Sequence, residues 1–101
     1  MSDTLLKPRL ATKPMVARPL LHKVILVNDD DTPRGFVVTI LKAEFRLGED
    51  QANRVMITAH QKGSCVVSVY PQDVAETKAT RATEAGRAKG YPLTFTTEPE
   101  E

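Results

Sequence analysis

At 101 residues, with 41% hydrophobic and 27% charged residues and no tryptophan, the chain has the size and composition of one small globular domain, which excludes a large multidomain enzyme. Fourteen Lys and Arg against thirteen Asp and Glu leave a formal net charge of +1, too little for a general attraction to nucleic acid or to anionic membrane. The single Cys65 excludes an internal disulfide and a cysteine zinc cage, and no apolar run approaches the roughly 20 residues of a bilayer span. Together with an amino terminus that lacks an apolar signal core, this predicts a soluble, cytoplasmic protein.

Residues 1–20 hold Pro8, Pro14 and Pro19 and four basic residues against one acid, a local net of +3 that leaves −2 on the remaining 81 residues. Prolines at that spacing deny both helix and ladder, so a flexible amino-terminal extension is expected before a folded domain at 21–101. LHKVILVN, from Leu21, reads as a strand that stops at the polar run Asn28 to Asp31. Thr32 then offers a hydroxyl cap and Pro33 a first helical residue; Phe36, Val37, Ile40, Leu41 and Phe45 recur with helical spacing, so a helix is expected to about Arg46, broken by Gly48. Glu49 and Asp50 open a second helix with Ala52, Val55, Met56 and Ala59 along its stripe and His60 one turn beyond Met56. After Gly63, SCVVSVY alternates Cys65, Val67 and Val69 with Val66, Ser68 and Tyr70 as a second strand, stopped by Pro71. Residues 72–89 form a third helix with a small-residue face of Ala75, Ala79, Ala82 and Ala85 beside Val74, and Gly90 suits its carboxyl-terminal cap. YPLTFTT is a third strand. The order β-α-α-β-α-β implies a two-layer α+β sandwich, a three-stranded antiparallel sheet packed on three helices.

Chemistry concentrates in Asn28 to Asp31, three carboxylates where a strand meets a helix. They fit loop solvation and capping, or a site for an organic ammonium in which Asn28 offers an amide oxygen and Asp29 or Asp30 a charged acceptor. A metal reading lacks the ligand spacing of a calcium loop. His60 is either a packed boundary histidine or a ligand group, and His22, the only other histidine, shares no metal motif with it. Cys65, centred in an apolar strand, reads as inert packing, and neither a serine triad nor a phosphate-cradling glycine loop is present. No catalysis, no metal and no cofactor are therefore expected.

KVILVNDDDTPRGFVV, then ANRVMITAHQKG, then VAETKA resemble, in that order, the ClpS adaptor family, which delivers bacterial N-degron substrates to a Clp protease; the match runs from Lys23 to Phe95. The resemblance implies a protein that binds a free amino terminus whose first residue is bulky and hydrophobic (Phe, Tyr, Trp or Leu) and presents it to a ClpA-type AAA+ unfoldase. It assigns Asn28, Asp30 and His60 to the α-ammonium, Thr32, Val37, Met56, Ala59 and Leu93 to the side-chain pocket, and Asp73, Glu76, Thr77 and Lys78 to the docking of the unfoldase's amino-terminal domain. In this sequence Asp31 replaces a common aromatic residue, Arg34 a methionine at the pocket gate, Gly35 a glutamate and Ala59 a larger valine. Arg34 is expected to line the rim with its stem and turn its guanidinium outward, altering the preference among first residues. Two other readings use the same element order: an assembly module resembling the carboxyl-terminal domain of the ribosomal stalk protein, and an inhibitory module that docks on the unfoldase without delivering substrate. A metal-dependent hydrolase using Asp30 and His60 is the third alternative.

Overall fold

The computed structural model describes residues 20–100, so the expected amino-terminal extension lies, but for Leu20, outside the described residues. Leu21–Val27 forms β1, whose alternation buries His22, Val24 and Leu26 and turns Lys23 and Ile25 to the other face. β1 is the central strand. It pairs antiparallel with β2 (Ser64–Pro71) on one side and with β3 (Thr94–Pro99) on the other, from His22 opposite Pro99 to Val27 opposite Thr94. Three helices, α1 (Arg34–Phe45), α2 (Glu49–Lys62) and α3 (Gln72–Ala88), complete the two-layer α+β sandwich. α3 lies mainly against β3, α2 against β2, and α1 packs on both of those helices.

The second strand departs from simple alternation. Val24 faces Ser68 but Ile25 faces Val66, so Val67 is an extra residue on β2 and forms a bulge. The side-chain phase flips there: Cys65 and Val67 point to the core, and beyond the bulge Tyr70 packs inward while Val69, which simple alternation puts on the side of Val67, is exposed. The inward Tyr70 ring then meets Phe45 of α1, which also stacks at 5.3 Å on Phe95 of β3.

Helix ends differ from the sequence reading at two places. Pro33, extended at φ −59° and ψ 138°, stands at the capping position and α1 begins one residue later, because the Thr32 hydroxyl expected to cap it is spent on Asp29. α1 stops at Phe45, where Arg46 takes a left-handed conformation (φ 58°) and donates its N–H to the Leu41 carbonyl; half-buried Leu47 anchors the reversal against the core. Gly48 is therefore not the breaker of α1 but the extended residue before α2, its carbonyl accepting from Ala52.

α3 ends in a Schellman motif: Gly90 takes φ 80° and bonds Arg87, and the Tyr91 N–H reaches the Gly86 carbonyl. Tyr91 to Leu93 form no strand, which shortens β3 at its start relative to the expected YPLTFTT. Instead the Tyr91 ring meets Phe36 edge-on at 5.0 Å and Leu93 is buried against Gly86. These contacts carry the segment before β3 to the amino end of α1.

Candidate functional site

Four pieces of chain meet around a cavity of about 300 Å³: the end of β1 with its following loop, the first turn of α1, the last two turns of α2, and Leu93. The Asn28 N–H donates to the Gly63 carbonyl at 2.9 Å, which ties the strand end to the carboxyl end of α2. Gly63, at φ 94°, closes that helix by donating to Ala59, so His60 stands in its last turn facing the loop. The three carboxylates then divide by position. Asp29 is half-buried and accepts from the Asp31 N–H (2.9 Å), the Thr32 N–H (2.7 Å) and the Thr32 hydroxyl (2.9 Å). This is an Asx turn that holds the loop, so both oxygens of Asp29 are engaged in it. Asp30 and Asp31 are exposed and make no side-chain hydrogen bond among the described residues.

All ten residues that the sequence put forward for ligand binding line this one cavity: Asn28, Asp29, Asp30, Thr32, Arg34 and Val37 from the β1 end to the start of α1, Met56, Ala59 and His60 from α2, and Leu93. The floor is apolar, with Val37, Ala59 and Leu93 buried and Met56 half-buried, and the rim is polar. The shape and charge are those of an apolar floor under a rim where Asp30, Asp31 and the negative end of the α2 dipole lie. Leu26, Val27, Asp31 and Pro33 also line it, and none of them was assigned a ligand-binding role from the sequence. The first two follow from the strand ending there; the turn-forming Asp29 had a readable signal, a threonine three residues on and a proline after it.

Arg34 lines the rim and keeps its head in water, but over the site. Its Nη2 lies 3.0 Å from His60 Nε2, across the cavity mouth, while the guanidinium stays exposed. A guanidinium carries donors only, so Nε2 is the acceptor and the imidazole is neutral in this arrangement. Among the described residues no group of three or more His, Cys, Asp or Glu is placed to hold a metal ion. Cys65 lies outside the cavity, and burial pushes its thiol up, with Lys62 pulling weakly the other way.

The expected docking residues sit elsewhere, on the first turns of α3. Asp73, Glu76 and Thr77 are exposed; Lys78 is half-buried, donating to the Glu44 carbonyl at 2.9 Å with its Nζ 5.4 Å from the Tyr70 ring centre. Asp73, Thr77 and Lys78 line a shallow cleft together with Glu44 and Arg46 from the end of α1. No helix among the described residues is long and apolar enough to cross a membrane.

The family model described as ATP-dependent Clp protease adaptor protein ClpS matches residues 17–96. The adapter protein ClpS 1 of Bradyrhizobium diazoefficiens is 71% identical over 101 residues, the whole of both chains, and ClpS 2 of Mesorhizobium japonicum 68% identical over the same full length. The structure of Agrobacterium tumefaciens ClpS2 bound to L-phenylalaninamide is similar with a TM-score of 0.80 and 60% identity, covering 82% of this chain and all of that one. The chain belongs to the ClpS family of Clp protease adaptors.

Proposed function

We propose that this protein binds the free amino terminus of proteins whose first residue is bulky and hydrophobic, and hands them to a ClpA-type AAA+ unfoldase in the cytoplasm, with no catalysis of its own. The observation that carries the reading is the cavity itself: an apolar floor under a rim of Asn28, Asp30 and His60, in a chain whose relative from Agrobacterium was solved with L-phenylalaninamide. That molecule has the two features the cavity suits, an α-ammonium and a large apolar side chain. Burying a Leu or Phe side chain on Val37, Met56, Ala59 and Leu93 contributes about 1.5 to 3 kcal/mol. The ammonium then brings three donors, and the acceptors for them are the Asn28 amide oxygen, the Asp30 carboxylate and the neutral His60 ring.

Asp29 is outside this set because its oxygens already hold the turn. His60 takes part by exchange, since the atom that would accept from the ammonium faces Arg34 in the free protein. For docking, the exposed Asp73, Glu76 and Thr77 form the surface offered to the unfoldase's amino-terminal domain, and Lys78 holds α3 to α1 beneath them.

Fluorescence anisotropy with a peptide beginning in Phe, free and amino-acetylated, tests the reading. The free peptide is expected to bind, the acetylated one to fail, and Asp30→Ala to weaken binding about tenfold or more, as loss of a charge-assisted hydrogen bond does. Equal binding of the free and acetylated peptides would overturn it.

A further inference from the structure

We propose that Arg34 makes this site read the residue that follows the amino-terminal one, favouring a carboxylate there over an ammonium; the inference rests on the amino-terminus reading above. Arg34 stands where two surfaces join. With Met56 it lines the ligand cavity, and the same two residues line a broader groove of about 540 Å³ between α1 and α2, with Gly35, Val38, Thr39 and Asn53 along its walls. A chain whose first residue fills the cavity and whose second leaves through this shared side passes directly over the guanidinium.

The charges of the groove are unevenly spent. Lys42, its other cation, is paired with Glu49, and the ammonium holds that carboxyl below its ordinary range. Arg34 pairs with no carboxylate among the described residues; its partner is the neutral ring of His60. Arg34 is also the first residue of α1, whose first turn contains no acid, so its guanidinium sits at the positive end of the helix with no carboxylate of that turn to offset it.

Seating an α-ammonium against His60 puts two cations on one lone pair. The guanidinium is the mobile one, at the end of a long exposed side chain, and swings off toward the groove. A carboxylate at the second position meets it there with the forked geometry that matches a guanidinium, whereas a lysine meets a like charge. Without Arg34 the balance runs the other way, because Asp30 and Asp31 at the rim then favour the lysine.

The test compares peptides beginning Phe-Glu, Phe-Gln and Phe-Lys, otherwise identical, against the wild type, Arg34→Met and Arg34→Lys at low and high salt. In the wild type the Glu peptide is expected to bind roughly fivefold more tightly than the Lys peptide at low salt, with the gap narrowing as salt rises. Arg34→Met is expected to abolish or invert that order, and Arg34→Lys to keep it in weaker form. No difference among the peptides in the wild type, or the same preference for Glu in Arg34→Met, would overturn the proposal. Each comparison is a ratio within one variant, so a change in overall affinity does not mimic it. Failure of the Phe-Gln peptide to bind the wild type at all would instead overturn the amino-terminus reading.

Discussion

Three consecutive aspartates look alike in the sequence and do different work, and hydrogen bonds decide which. Asp29 accepts from two backbone amides and one hydroxyl, so truncating it leaves three donors to find water and frees the loop between β1 and α1. Asp30 sits next to it, exposed and without such partners among the described residues, flanked by like charges on both sides. Asp29→Ala is therefore expected to lower the unfolding free energy by about 1 to 3 kcal/mol. Asp30→Ala should stay within about 0.5 kcal/mol of wild type while losing the peptide. Urea unfolding and anisotropy on the same two variants check both halves. A stable Asp29→Ala, or a destabilised Asp30→Ala, would mean the roles are assigned to the wrong neighbours. The same scale explains what the sequence could not show of Arg34: its head stays in water, as expected of a guanidinium, but the His60 ring it meets lies 26 residues away and was invisible from spacing.

At the scale of elements, α3 shows why its small residues matter. Ala75, Ala79, Ala82 and Gly86 fall on one buried stripe, and at Gly86 an added Cβ would lie 2.8 Å from Leu93 Cβ and 3.3 Å from its Cδ2. A helix interior ordinarily gains about 1 kcal/mol from replacing glycine with alanine. Here the overlap wins, because Leu93 is buried and its backbone is fixed between the Schellman turn and β3. Gly86→Ala is expected to cost about 1 to 3 kcal/mol by thermal unfolding and to weaken binding of a Phe-first peptide by pushing Leu93 into the cavity. A more stable Gly86→Ala with unchanged binding would show that the segment before β3 moves freely. Ala75, Ala79 and Ala82 were readable from period 3.6, but the stripe ends on Gly86 and not on the expected Ala85, which is half-buried, since a glycine near a helix end is equally a stop signal. Element order and most boundaries follow from apolar periodicity and from Gly63 and Gly90. The Val67 bulge and the left-handed Arg46 do not, because each is chosen by what lies across the sheet or under the turn, not by its own residue type.

Across the whole molecule, α1 separates two surfaces. Its first turn supplies Arg34 and Val37 to the ligand cavity, and its end supplies Ala43, Glu44 and Arg46 to the cleft beside α3, at opposite ends of a twelve-residue helix about 18 Å long. The resemblance grouped the cavity residues, nine of them within KVILVNDDDTPRGFVV and ANRVMITAHQKG and Leu93 outside both, and the fold lines one cavity with all ten. It could not say that Lys78, grouped with the docking residues, is anchored on the Glu44 carbonyl and over the Tyr70 ring, since both contacts are remote in the chain. That anchoring separates two kinds of variant. Glu76→Ala with Thr77→Ala removes exposed groups far from the cavity, and effects at sites this distant are usually independent. The pair is expected to leave Phe-first peptide affinity within about twofold of wild type while abolishing pull-down by the unfoldase's amino-terminal domain. Lys78→Ala is expected in addition to lower stability by about 1 kcal/mol, because a half-buried carbonyl loses its partner. If the Glu76 and Thr77 pair weakened peptide binding as much as docking, the rigid α1 would be transmitting between the two ends, and the handover would begin with coupling rather than with two independent grips.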